Sequence, residues 1–155
     1  MNARSSDDKR ILEIYEVAYK TREAMRDTRL SRSDLIEPTS PTQELQRDGF
    51  ANRVQRITEE AQHLTQRTIE QYDFPSSHDT SGVRNILSHA YGNVDFDIIC
   101  TFLETEMDDI IRSCEQYIAD HDIELPQYVR LHNRRQPNSS LIGETEKSIG
   151  DRGDN

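Results

Sequence analysis

Ser81-Gly82-Val83-Arg84-Asn85-Ile86-Leu87-Ser88-His89-Ala90-Tyr91-Gly92-Asn93-Val94-Asp95 is a stretch with two unlike faces. At about 100° per residue, Val83, Ile86, Leu87, Ala90 and Val94 fall on one helical stripe, which predicts a short helix turned toward a core. The rest of the wheel carries Arg84, Ser88 and Tyr91 on one flank and Asn85, His89 and Gly92 on the other. A fold does not require cationic, imidazole and phenolic groups crowded on one surface. This face is therefore the candidate site for a partner or a substrate.

Outward from it, the chain reads as helices joined by short breaks. Upstream, residues 73–80 form a loop, with Pro75 stopping one helix and Asp79 or Ser81 capping the next. Before the loop, Phe50, Val54, Ile57, Ala61, Leu64 and Ile69 make a stripe that predicts a long amphipathic helix from 48 to about 71. Ser40-Pro41 is a start signal for a short helix through about residue 46, and 30–40 reads as a connector. Ile11, Leu12, Ile14, Tyr15, Ala18 and Met25 predict a first helix from 9 to about 28, with Asp7 or Asp8 as its cap and residues 1–8 frayed.

Downstream, Gly92-Asn93 ends the organising helix and Asp95 or Asp97 caps a long one. That helix carries Ile98, Ile99, Phe102, Met107, Ile110, Ile111, Cys114, Tyr117 and Ile118, and Asp120-His121-Asp122 closes it before Pro126. Residues 126–155 read as a Pro/polar extension whose last part, from 134, is a flexible tail. No strand-like alternation of useful length and no repeat is present. The expected architecture is all-α, an antiparallel bundle of four to five helices within one domain at 9–125, dimerising through the motif helix.

Composition narrows the function classes. The 155 residues are 33% apolar and 6% aromatic with no tryptophan, which implies a thin core and favours oligomerisation. Met1 to Asp8 runs straight into charge, unlike a signal peptide, and no apolar run approaches the roughly 20 residues of a membrane span. A cytoplasmic protein with no membrane partner is expected. Cys100 and Cys114 share one predicted helix, where fourteen residues of rise separate them by roughly 21 Å, beyond disulfide reach. Reduced packing thiols fit that separation, and Glu104, Glu106, Asp108 and Asp109 supply the reverse of an activating electropositive pocket. The net charge of -10 excludes nucleic-acid binding over the whole surface but not at a local basic patch. Candidates for such a patch are Arg84 and the cluster Arg130, His132, Arg134 and Arg135. An acidic exterior also suits a basic protein partner.

Arg84, His89 and Tyr91 stand at the spacing Arg-x4-His-x-Tyr. Histidine gives and takes protons near neutrality, and arginine is a permanent fork-shaped donor suited to a phosphoryl oxygen. Together they suffice for metal-free RNA cleavage, in which a 2′-hydroxyl attacks its own phosphate. In a straight helix Arg84 and His89 lie about 140° apart, so one copy aims them along opposite edges of the polar face. Two copies packed across a two-fold axis would bring the Arg of one protomer toward the His of the other. Asn85, one turn before His89, can orient the imidazole. Taken singly, each has a plainer reading: a surface ion pair for Arg84, an interface histidine for His89, a packing residue for Tyr91. His63, His78, His121 and His132 show no ligand spacing and read as structural or solvent-facing, so neither metal nor cofactor is expected.

The run Arg84-Asn85-x-x-x-His89-x-Tyr91, followed by Val94-Asp95 and a helix rich in Ile, Phe and acidic residues, resembles the signature of the HEPN superfamily. Within it, the chain resembles the HepT-like toxins of toxin–antitoxin pairs. Ile57-Thr58-Glu59-Glu60-Ala61 is similar to that family's Ile-Gly-Glu-Ala run, with Thr58 in place of the glycine, and no tryptophan precedes the motif helix, Ser77 standing near that position. The likeness covers residues 48–120, with support from the first helix. It implies a homodimeric, metal-independent endoribonuclease of a type VII-like system, acting on cellular RNA, often tRNA. Arg84 and His89 would be its catalytic pair and Asn85 their polar neighbour. It further implies a cognate nucleotidyltransferase antitoxin that attaches AMP to Tyr91, placing negative charge and bulk where an RNA phosphate must sit. A non-catalytic helical docking partner of a nucleotidyltransferase is the alternative.

Overall fold

A helix that buries residues on several flanks has to lie inside its domain, and α1 (Ser6–Thr28) does so. A computed structural model describes residues 6–75 and 94–135 of the chain. Among the described residues there is no strand. The elements are α1, α2 (Arg32–Ile36), α3 (Pro41–Gln62), α4 (Gln66–Gln71), α5 (Phe96–Thr101), a π-helical turn (Phe102–Glu106), α6 (Met107–Asp120) and α7 (Gln127–Arg135). The all-α class is as expected.

Ile11, Ile14, Ala18 and Thr21 follow one another at helical spacing and are all but completely buried, with Tyr15 and Tyr19 buried on the adjoining flank. The fully enclosed Thr21 hydroxyl donates to the Val17 carbonyl at 2.6 Å, so no polar group is stranded. One side of α1 meets α3 and another meets α6. Arg10 pairs with Glu60 and Glu13 with Arg56, so α3 runs antiparallel to α1. Arg22 faces Asp108 while Tyr15 faces Glu115, so α6 is antiparallel to α1 as well. Val54 and Ile57 from α3, and Ile110, Ile111, Cys114 and Tyr117 from α6, close the core. Both cysteines are buried free thiols, and burial pushes each thiol above its ordinary value, which leaves them inert packing groups.

Several boundaries differ from the sequence expectation, each for a local reason. Residues 6–8, expected to fray, form the first turn of α1, so Asp7 and Asp8 sit inside the helix rather than at its cap. The short helix from Ser40-Pro41 and the long one after it are a single helix, α3. Gly49 lies within it facing open space, and one helical glycine costs only about 1 kcal/mol, too little to break a helix held by its buried face. The expected continuation to about 71 instead stops at His63, because Thr65 caps a separate helix, α4, by accepting from the Thr68 N–H. Within the expected connector, Ser31 and Asp34 form a reciprocal capping box that starts α2. Asp95, of the two candidates, caps α5. The extension expected from 126 begins with a packed helix, α7, whose Val129 is completely buried. Of the tail expected from 134, Arg134 and Arg135 form the last turn of α7, and 136–155 lies outside the described residues.

Asp7 ties the start of α1 to the break between α3 and α4. It is 3% exposed and accepts from the Thr65 N–H (3.1 Å), the Thr65 hydroxyl (2.6 Å) and the Thr68 hydroxyl (2.7 Å). Burial alone would raise its carboxyl, but these donors outweigh it and hold the group below its ordinary value. A depressed folded-state value contributes stability that is complete above the ordinary aspartate value near 3.9 and is lost as pH falls through the folded one. Asp7→Asn is expected to lower stability in urea at neutral pH by about 1–3 kcal/mol and to flatten the acid limb below about pH 4. An unchanged midpoint and acid limb would contradict the assignment.

Candidate functional site

Arg84, Asn85, His89 and Tyr91 lie outside the described residues, as does the helix expected to carry them and its dimer contact. The frame at both ends of that segment is described. Upstream, Tyr72 ends α4 and its hydroxyl donates to Asp120 at 3.0 Å. Asp73 takes a left-handed conformation (φ 52°), and Phe74, 4% exposed, returns its N–H to the Ile69 carbonyl at 3.1 Å. Downstream, the Asp95 carboxylate accepts from the Asp97 N–H at 3.0 Å. Arg47 lies over the Phe96 ring at 4.3 Å, and Arg32 reaches Asp97, Thr101 and Glu104. The motif segment thus departs from one anchored point and returns to another.

The π-helical turn interrupts the expected long helix next to this frame. Phe102 and Leu103 are buried, whereas Glu104, Asp108 and Asp109 face solvent, as expected of a solvated acidic run. Glu106 is the exception. It borders a cavity of about 20 Å³ with Thr58, Ile69, Pro75, Phe102 and Ile110. Its Oε2 is buried and has no hydrogen-bond partner among the described residues. Burial, reinforced by Asp109, pushes this carboxyl above its ordinary value, toward a neutral form able to donate as well as accept. In the sequence, Glu106 is indistinguishable from its acidic neighbours. The π turn over Phe102–Glu106 shifts the register of the helix at this point, and Glu106 is the carboxylate that turns inward.

The C-terminal basic cluster is described, and α7 gathers it. Arg130, Arg134 and Arg135 are all exposed. Arg130 pairs with Glu124, and among the described residues Arg134 and Arg135 have no ion-pair partner. The helix docks on α1 through Val129, through the Tyr19 hydroxyl donating to Asn133 at 3.0 Å, and through His132, whose Nε2 is 3.1 Å from Glu23. His132 thus packs against Tyr19 and Glu23 of α1 rather than standing free in the cluster. Its ring stacks on Tyr128, which is 39% exposed and lies beneath the Lys20 ammonium at 4.9 Å. Tyr128 and the 48% exposed Leu131 add aromatic and apolar surface to the basic helix. This feature needed the helix itself to become visible in the sequence.

Between α1, the end of α6 and α7 opens a cleft of about 590 Å³. Tyr15 and Tyr19 form one wall, with ring centres 6.1 Å apart and edge-to-face. The Tyr15 hydroxyl donates to Glu115 at 3.4 Å. Burial first, then the neighbouring Glu115, pushes the Tyr15 hydroxyl above its ordinary value, and burial with Glu23 does the same to Tyr19. Both stay neutral donors. Arg26 and Glu23 pair at 3.1 Å. Arg22 lies 5.3 Å from the Tyr19 ring centre, and its contact with the 74% exposed Asp108 is long at 3.8 Å. No three His, Cys, Asp or Glu side chains form a metal-binding group among the described residues. No described helix is long and apolar enough to cross a membrane.

Among protein families, a model described as Ribonuclease HepT-like matches residues 11–117. The match runs from α1 through the motif segment to Tyr117 in α6, and α7 lies beyond it. Comparison with curated proteins and with solved structures gives no match.

The attachment of α7 is open to direct measurement. Val129→Asp would place a charge in a fully buried position, and releasing the helix avoids that cost. Backbone amides of residues 127–135 are expected to lose their protection from hydrogen exchange while those of α1, α3 and α6 keep theirs. Uniform loss of protection, or none, would contradict this docking.

Proposed function

Because the chain belongs to the HepT-like ribonuclease family, with residues 11–117 matched, we propose that it is a metal-independent endoribonuclease toxin of a paired HEPN and nucleotidyltransferase system. One observation carries this reading: the family match spans the whole Arg84-Asn85…His89-x-Tyr91 set, each residue of which is intact. The protein acts in the cytoplasm as a homodimer, on cellular RNA such as tRNA.

The chemistry follows from the residue types. His89 of one protomer takes the proton of a ribose 2′-hydroxyl, whose oxygen attacks the adjacent phosphorus. Arg84 of the other protomer stabilises the charge that builds on the phosphorane. The bond to the 5′-oxygen then breaks, that oxygen takes a proton, and the products carry a 2′,3′-cyclic phosphate and a 5′-hydroxyl. Asn85 holds the His89 ring in orientation. Tyr91 is the point of control. Transfer of AMP from ATP to its hydroxyl by the partner nucleotidyltransferase releases pyrophosphate and leaves a phosphodiester beside Arg84, where the RNA phosphate would bind. Arg130, Arg134 and Arg135 on α7 hold the RNA backbone, which concentrates positive charge on a chain whose net charge is -10.

Purified protein incubated with total RNA in EDTA tests this reading. Wild type is expected to leave 2′,3′-cyclic phosphate ends, and Arg84→Ala and His89→Ala, at matched fold, to lose about 10²-fold or more of the rate. Wild type as inert as both variants, with Tyr91 shown by mass to be unmodified, would leave the non-catalytic docking module as the better reading.

A further inference from the structure

The outward face of α7 is apolar and cationic at once, on a chain whose net charge is -10. Among the described residues the exposed large apolar side chains are Leu45, Tyr128 and Leu131, and two of these three stand on this one nine-residue helix. Leu131 lies two residues after the buried Val129, which at about 100° per residue turns it nearly opposite the side that docks on α1. Tyr128 precedes Leu131 by one turn, and Arg134 and Arg135 follow it by one turn, on either side. The Tyr128 ring is held by stacking on His132, with ring centres 5.9 Å apart. Of the cations here, Arg130 is paired with Glu124 and Lys20 with Glu16, so the free positive charge is concentrated at Arg134 and Arg135. The helix also lies beyond residues 11–117, so the family match does not account for this surface.

An occupant that suits this face offers anionic groups and apolar surface side by side. Duplex RNA offers only the first. Its bases are stacked away from solvent and its major groove is too deep and narrow for side chains to read, so a helix laid on it meets phosphates and 2′-hydroxyls. A leucine at the centre of that contact would find no apolar partner. Unpaired bases differ, because each shows a flat face on which aliphatic and aromatic groups pack while the neighbouring phosphates meet guanidinium groups. From Tyr128 to Arg135 the helix rises by about 10 Å, the scale of a short stretch of strand. An acidic protein groove would satisfy the same demands, and RNA is favoured over it because the chain belongs to a ribonuclease family.

We propose that α7 is a recognition helix for unpaired RNA, with Leu131 and the exposed part of Tyr128 packed on bases and Arg134 and Arg135 on the flanking phosphates. The inference deepens the ribonuclease reading and rests on it for RNA as the occupant. It goes beyond holding the backbone. Phosphate contacts are blind to whether bases are paired, whereas an apolar side chain set between them is not. Leu131 is thus a residue that determines specificity, selecting single-stranded segments of the substrate at a distance in sequence from the Arg84 and His89 motif.

The test is fluorescence anisotropy of the full chain with an end-labelled 2′-O-methyl oligomer about twelve nucleotides long, free or annealed to its complement, in EDTA at several salt concentrations. Without a 2′-hydroxyl the oligomer cannot be cleaved, so binding is read apart from catalysis. The single strand is expected to bind about tenfold more tightly than the duplex. Leu131→Gln keeps a good helix former at an exposed position, and it is expected to narrow that preference to about threefold or less while the amides of 127–135 stay protected from exchange. Tyr128→Gln is expected to act in the same direction. Arg134→Gln and Arg135→Gln are each expected to weaken the single strand and to lower its slope against log salt by about 0.7. Equal affinity for both forms, no binding of either, or a preference that survives both Leu131→Gln and Tyr128→Gln overturns the recognition helix. Single-strand binding that neither arginine substitution weakens overturns it too. Poly-L-glutamate that displaces the label as well as unlabelled oligomer does overturns RNA as the occupant in favour of an acidic protein. Cleavage of total RNA is measured separately. Wild type that binds the single strand through α7 yet cuts no RNA removes the ribonuclease reading and leaves this face standing, whereas an active nuclease whose binding ignores all four substitutions removes only the face.

Discussion

The rest of the fold depends on burial of α1 on more than one side. An ordinary surface helix hides one stripe, but Ile11, Ile14, Ala18 and Thr21 face the interior while Tyr15 and Tyr19 turn to a second set of neighbours. A single partner helix cannot cover both arcs, so α3 and α6 take antiparallel places around α1, and α7 covers what remains beside Tyr19. Asp7 then fixes where α3 ends, because its buried carboxylate is satisfied only by the turn at Thr65. A chain that is only 33% apolar can build a core this way because one helix serves several interfaces at once.

What this arrangement leaves on the surface is charge sorted by place. The carboxylates spread over α1, α3 and α6 and are largely paired or solvated, whereas Arg130, Arg134 and Arg135 share a single short helix. A net charge of -10 is compatible with nucleic-acid binding only when cations are collected in this manner. The motif segment is held by its ends, through the buried Phe74 on one side and the Asp95 cap on the other. Beside it the π turn ends on Glu106, whose Oε2 is buried without a hydrogen-bond partner among the described residues.

Much of this was legible from periodicity. The all-α class and the first helix as far as Thr28 follow from apolar spacing, and the packing role of Cys100 and Cys114 from their separation along a helix and their acidic neighbours. The failures occur where a short-range polar interaction overrides that pattern. The stripe from Phe50 to Ile69 continues through His63 without a break, and only the threonine cap at 65, held by Asp7 from across the molecule, divides it. The same rule started α2 at Ser31, where a local capping signal was present in the letters but no apolar period accompanied it. Residues 127–135 read as polar extension and the start of a tail because Val129 is their one buried residue, and two polar contacts with α1, Tyr19 with Asn133 and His132 with Glu23, add to the docking. Arg84, Asn85, His89 and Tyr91 stand out in the sequence by spacing, chemistry and resemblance, and they lie outside the described residues. The cleft was not legible there, since it joins Arg22, Glu115 and Asn133 from three distant parts of the chain.

A two-fold composite site has a consequence that a site within one helix cannot share. If Arg84 of one protomer works with His89 of the other, Arg84→Ala and His89→Ala chains, each inert alone, form mixed dimers with one intact pair. Equal amounts, exchanged through mild denaturation and refolding, give half mixed dimers with one of two sites restored, and RNA cleavage in EDTA should return to about a quarter of the wild-type rate. A mixture as inert as its components, with mixed dimers demonstrated by mass, would contradict the composite site.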